Sequence, residues 1–135
     1  SKVSGHCLCG SVSFEFSAKP EYPHCCHCDD CRRASGSIYG SFVYVSAEAL
    51  QVTGEMRSYE HQNDQSSTMT KYFCPSCGSH IIGTNSKTPE RRAVWVGVIN
   101  DASWFKPEVY FYASKKLPHA PVDPEVETFD KMWSQ

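Results

Sequence analysis

Eight cysteines in 135 residues constrain this chain more than any other feature, because of how they are spaced. They fall into three groups: Cys7 and Cys9; Cys25, Cys26, Cys28 and Cys31; Cys74 and Cys77. Cysteines one or two residues apart close tight, strained disulfide rings, whereas a metal ion accepts both thiolates from a single turn. Bridges between the groups stay sterically open, so an even count does not by itself dismiss a disulfide framework. The N-terminus lacks a signal-peptide pattern, and the expectation is a reduced, cytoplasmic zinc protein.

Ligand counting divides the cysteines. Cys74-Pro75-Ser76-Cys77-Gly78 has the shape of a zinc knuckle, and Cys7-Leu8-Cys9-Gly10 is a second chelate with the same terminal glycine. Cys26-His27-Cys28-Asp29-Asp30-Cys31 offers three thiolates in six residues. Cys25 and Cys26 are neighbours and cannot comfortably serve one ion. The division is therefore Cys7, Cys9, Cys74 and Cys77 around one zinc, and Cys26, Cys28 and Cys31 around another. Structural zinc sites are closed and catalytic ones keep a position open, so the three-ligand set is the candidate for chemistry. A competing reading recruits Cys25, or one of His6, His24, His27 and His80, as a fourth ligand and makes both sites structural. Otherwise Cys25 is a small buried side chain.

The remainder supports one mainly β domain over residues 1–135, with a core over about 5–116 and an irregular, proline-rich tail over 117–135. Forty per cent hydrophobic residues suffice for one core. Residues 11–16 alternate, with Val12, Phe14 and Phe16 on one face. Further strands are expected over 38–45, 69–73, 80–84, 93–99 and 109–112, those over 69–73 and 80–84 flanking the knuckle as a metal-tipped hairpin. Residues 46–50 read as one helical turn, and a short helix starts near Asp29 or Asp30 and stops at Gly36. A formal net charge of −2 supplies no electrostatic footprint for nucleic acid or an anionic membrane surface. No apolar run approaches the ~20 residues of a membrane-spanning helix.

Three ordered motifs carry a family resemblance: Gly5-His6-Cys7-Leu8-Cys9-Gly10-Ser11-Val12, then Cys26-His27-Cys28-Asp29-Asp30-Cys31-Arg32-Arg33-Ala34-Ser35-Gly36, then Tyr72-Phe73-Cys74-Pro75-Ser76-Cys77-Gly78-Ser79. Together they resemble the glutathione-dependent formaldehyde-activating enzymes, whose domain also occurs in the centromere protein V group. Residues 47–54 resemble the family's link between its middle strands. The resemblance implies a β-tent fold of packed antiparallel sheets with two zinc sites. It also implies a structural zinc on Cys7, Cys9, Cys74 and Cys77 and a catalytic one on Cys26, Cys28 and Cys31. The implied activity is that of a carbon–sulfur lyase joining glutathione and formaldehyde into S-hydroxymethylglutathione, or reversing that step. Cys25 is an addition to the family's C-H-C-x-x-C pattern.

On this reading a small-molecule thiol, glutathione, fills the open position at the second zinc and adds to an aldehyde. Arg32 and Arg33 either steer the anionic peptide or are solvated surface residues. Asp29 and Asp30 fit a helix start, and His27 is either a proton shuttle or a packed ring. Trp95, Trp104, Tyr110 and Phe111 are either pocket lining or core. The rival class of function is a non-catalytic, zinc-stabilised module that recruits a protein partner. Oligomeric state leaves no trace in the sequence.

Overall fold

A computed structural model of the protein describes residues 2–133. Strands β1 (Val3–His6), β2 (Ser13–Phe16) and β5 (Gln51–Thr53) form a small antiparallel sheet in the order β1-β2-β5. The remaining strands are β3 (Glu21–Cys26), β4 (Gly40–Ser46), β6 (Arg57–Gln62), β7 (Thr68–Phe73), β8 (His80–Asn85), β9 (Arg91–Trp95), β10 (Val109–Phe111) and β11 (Glu127–Thr128). They build an eight-stranded sheet in the order β11-β10-β3-β4-β9-β8-β7-β6. The one α-helix among the described residues, α1 (Asp29–Ser35), follows β3 and ends at Gly36 in the left-handed region. The expected mainly β architecture of packed sheets is what the chain adopts. Pairing is antiparallel except at one edge, where β10 runs parallel to both β3 and β11.

Period-two alternation decides what each face of the large sheet does. Val43 and Val45 of β4 and Val94 of β9 point inward and pack with Val12, Phe14 and Phe16 from the small-sheet region. Phe42 and Trp95, on the opposite face, join Cys26, Val109, Phe111 and Tyr112 in a second cluster. One layer of strands thus carries the core on one side and a site on the other. No helix among the described residues is long and apolar enough to cross a membrane.

Several elements depart from the sequence reading for local reasons. The strand expected over 93–99 stops at Trp95, and Val96–Val98 is a 3-10 turn. That turn carries the chain across to the small sheet, where Ile99 bridges Gly5 and the Asn100 amide donates to the Ser4 carbonyl at 2.9 Å. Residues 46–50 are a turn rather than a helical segment, closed by the Ala49 amide on the Ser46 carbonyl at 3.2 Å. The proline-rich tail is mostly turns, yet it contributes β11 and buries Ala120.

Gly5 of β1 is tightly enclosed between Phe14 of β2 and the 3-10 turn that crosses to the small sheet. A Cβ there would lie 2.1 Å from the Val98 carbonyl oxygen and 2.4 Å from Phe14 Cζ. Neither backbone nor a core ring can retreat that far, so Gly5→Ala is expected to cost about 3 kcal/mol or more of unfolding free energy. Urea denaturation followed by circular dichroism measures this directly, and a change below 1 kcal/mol would mean that the two layers are not so tightly apposed.

Candidate functional site

The first cysteine set joins the two sheets. Cys7 and Cys9 follow β1, Cys74 and Cys77 follow β7, and their four sulfurs lie within 4.8 Å of one another. Cys7 and Cys9 sulfurs are 3.6 Å apart, and those of Cys9 and Cys74 are 3.7 Å apart. Four sulfurs bound tetrahedrally at ~2.3 Å would stand about 3.8 Å apart, a spacing that these two pairs match. Both chelates turn alike. The Gly10 amide returns to the Cys7 carbonyl at 3.1 Å and the Gly78 amide to the Cys74 carbonyl at 2.8 Å. Each glycine has a φ near +80° (83° and 81°), which a side chain rarely tolerates.

Donors converge on these sulfurs as they would on thiolates. The Val12 amide donates to Cys7 Sγ at 3.3 Å, and the Ser76 and Cys77 amides point at Cys74 Sγ at 3.4 and 3.5 Å. Ser11 Oγ lies 3.2 Å from Cys74 Sγ, and Ser79 Oγ 3.3 Å from Cys77 Sγ. The Ser79 hydroxyl is the main reason that the Cys77 thiol is pushed down to about 5. Cys7 and Cys74 are fully buried, and none of the four cysteines borders the large cavity.

The second set is built where β3 runs into α1. Cys26 ends the strand, Cys28 is the N-cap of the helix, and Cys31 sits one turn on, its amide donating to Cys28 Sγ at 3.2 Å. Strand end, cap and first turn converge, so three sulfurs lie within 4.8 Å. No fourth His, Cys, Asp or Glu among the described residues joins them. Hydrogen bonds from its neighbours hold the Cys28 thiol low, at about 3, while the crowding of like groups raises Cys26 and Cys31. Three sulfurs so close cannot all ionise on their own, and a divalent cation is what would let them. Each cluster can hold a metal ion, and sulfur-only donor sets are consistent with zinc.

The candidates for a fourth ligand lie elsewhere. Cys25 faces away from the cavity, 3.5 Å from Ser41 Oγ. The exposed His6 bonds the Cys7 carbonyl, and His80 packs its ring against Trp95. His27 is buried between Tyr39 and Tyr110, with ring centroids 5.1 and 5.7 Å away, and is not a cavity residue. His24 does face the cavity. Its Nδ1 lies 2.7 Å from the Tyr22 carbonyl, and burial pushes its pKa down to about 4, so the ring is neutral at pH 7.

A cavity of about 530 Å³ opens directly on Cys26, Cys28 and Cys31. Its floor is the outward face of the large sheet, with Phe42 and Tyr44 from β4, Arg91 and Trp95 from β9, and Lys71 from β7. Phe111 lines it as well, whereas the exposed Trp104 and Tyr110, whose hydroxyl accepts from the Asp123 amide, do not. Arg32 and Arg33 are also absent from the lining, and Arg32 pairs with Asp29 at 3.4 Å.

Sequence reasoning missed the cations that do line it: Lys71, Lys87, Arg91, Lys115 and Lys131. They face three carboxylates, all engaged. Asp29 is held by Arg32 and by Lys115 at 3.8 Å, Asp30 lies 3.7 Å from His61 Nδ1, and Asp64 accepts the Tyr112 hydroxyl at 2.6 Å. The excess of positive charge contrasts with the chain's net −2. Tyr112 holds a left-handed backbone, φ 58°, unusual for so bulky a residue. Its bond to Asp64 ties the 63–67 turn across the cavity. Lys71 Nζ is 2.6 Å from His61 Nε2, and its charge contributes to lowering Cys28.

Comparison with known proteins agrees with this geometry. The family model described as glutathione-dependent formaldehyde-activating enzyme matches residues 2–115. A Penicillium rubens protein named "Putative glutathione-dependent formaldehyde-activating enzyme" is 26% identical over 116 residues, covering 84% of this chain and 60% of that protein. A Colletotrichum graminicola protein of the same name is 23% identical over 112 residues, covering 81% and 58%. The chain therefore spans about 60% of the length of these relatives. A Rhodobacter sphaeroides protein of known crystal structure shares the fold, with a TM-score of 0.57 at 21% identity, covering 93% of this chain and 99% of that one. The three ordered cysteine motifs, the two clusters they form and the match across residues 2–115 place this chain in the glutathione-dependent formaldehyde-activating enzyme family.

Proposed function

We propose that the chain is a zinc-dependent carbon–sulfur lyase that adds a thiol, glutathione in the family's name, to an aldehyde such as formaldehyde, or releases it. One observation supports this reading above the others: the two cysteine sets differ in setting. The four-sulfur set is complete and remote from the cavity, while the three-sulfur set faces it. In this reading Cys7, Cys9, Cys74 and Cys77 hold a structural zinc, and Cys26, Cys28 and Cys31 hold the catalytic one. A zinc ion bound there supplies a strong local positive charge, which lowers the pKa of a thiol brought against it.

The residues around the cluster suit the rest of the reaction. Addition forms one C–S bond and converts the carbonyl into a hydroxyl, so the proton lost from sulfur is matched by one gained at oxygen. The Lys71 ammonium, oriented by His61, is placed to donate a hydrogen bond to that oxygen as charge develops. Phe42, Trp95 and Phe111 exclude water from the same space. The surplus of cations favours an anionic thiol over a neutral one.

The test is exchange spectroscopy on glutathione and 13C-formaldehyde at equilibrium. The zinc-loaded protein is expected to raise the exchange rate of the S-hydroxymethyl adduct at least tenfold over buffer at micromolar protein. Exchange at the buffer rate would refute the assignment.

A further inference from the structure

Arg91 opens β9, and its guanidinium carbon lies over the Tyr44 ring, 3.9 Å from the centroid, on the cavity floor. Its Nε is buried without a hydrogen-bond partner. Among the described residues no carboxylate comes within 4.0 Å of it. Glu108 and Glu127 share a smaller recess with Arg91 but stay beyond that distance. An arginine cannot shed its proton to escape burial, and stacking on tyrosine offsets only part of the lost hydration. The cavity's own carboxylates are engaged elsewhere. A planar fork of donors is thus held ready for an anion that the protein does not itself provide.

The backbone spacing along β4 between the cysteine end and the Tyr44 position defines that anion further. Cys26 pairs with Gly40, and Tyr44 lies four residues along the same strand, about 13 Å at ~3.3 Å per residue. Free cysteine, with its thiol and carboxylate on adjacent carbons, cannot span this interval. A peptide thiol with a carboxylate at the end of an extended arm can.

We propose that Arg91, stacked on Tyr44, is the carboxylate anchor of the cavity and selects peptide thiols with a terminal carboxylate over short or neutral thiols. The inference rests on the reading of the three-cysteine cluster as a thiol site, and its test separates the two. Isothermal titration of the zinc-loaded protein would use glutathione, its thiol-free analogue γ-glutamyl-2-aminobutyryl-glycine, glutathione diethyl ester and 2-mercaptoethanol. Arg91→Gln is expected to weaken glutathione and the thiol-free tripeptide at least about tenfold, with mercaptoethanol within about twofold. Arg91→Lys should recover only part, because an ammonium cannot match the fork. The diethyl ester on the unaltered protein should show the same loss, so the result does not depend on the variant folding.

Equal binding of glutathione and its diethyl ester, or of glutathione to both forms of the protein, would overturn the anchor while leaving a thiol site intact. Failure of the thiol-free tripeptide to bind the unaltered protein would likewise overturn it. Arg91-dependent binding of that tripeptide, with no response of the cysteine cluster to mercaptoethanol, would support the anchor and instead sink the thiol site.

Discussion

Cys74→Ser is expected to leave the chain without a cooperative unfolding transition at 25 °C, or to lower its melting temperature by at least about 10 °C. Cys74 is fully buried at the end of β7, and its sulfur lies 3.7 Å from that of Cys9, which belongs to the other sheet's first turn. The cluster therefore fastens two layers that, among the described residues, have no strand-to-strand ladder between them and share the short bridge at Gly5 and the Asn100–Ser4 backbone bond. Metal binding by four cysteines is worth roughly 10–16 kcal/mol in small zinc domains, comparable to the whole net stability of about 5–15 kcal/mol of an ordinary domain. Losing one ligand of four also replaces the sulfur at which the Ser76 and Cys77 amides point with a hydroxyl on a shorter bond. Thermal melts by circular dichroism measure the effect. Chelation of the unaltered protein should reproduce it, and a chelated Cys74→Ser protein should lose little more. An unshifted melt would mean that the four-cysteine set is not a structural metal site.

Cys28→Ser is expected to behave in the opposite way, with folding nearly preserved and thiol–aldehyde exchange reduced by about 100-fold or more. The separation follows from the dual position of Cys28. Its side chain caps α1 by accepting the Cys31 amide, and serine is among the best N-caps, so the helix keeps its start. What disappears is one of three sulfur donors and the thiol most readily ionised among them. Melting should move by only a few degrees, against the large loss at Cys74. A Cys28→Ser protein with full exchange activity would remove the three-cysteine cluster from the chemistry.

The cysteine partition was legible from the sequence because chelate spacing is local: C-x-C and C-x-x-C place two sulfurs in one turn whatever surrounds them. The hairpin of β7 and β8 and the helix from Asp29 to Gly36 were legible for the same reason. β3 was not, because Pro23 interrupts any alternation; the strand survives through a register shift between Glu21 and His24. β6 was hidden too. As the outermost strand of its sheet it is largely exposed, and Arg57–Gln62 shows no apolar face. His61 sat on that unseen strand, while Lys71 lay within β7 and Arg91 opened β9. Their meeting in one cavity depends on which strands are neighbours, and β9 inserted between β4 and β8 is a long-range fact that no window of sequence contains. Tyr112 was unseen for a related reason: its left-handed backbone lies where the tail packs back on the sheet, its amide donating to the Lys131 carbonyl at 3.1 Å.

Sulfur coordination at the metal, measured by zinc X-ray absorption on the fully loaded protein, tests the central claim most directly. With four cysteines at one site and three at the other, the average should be about 3.5 sulfurs per zinc, with two zinc ions per chain. Saturating glutathione should raise it to about four. A single ion per chain, or an average that does not change when glutathione is added, would contradict the account.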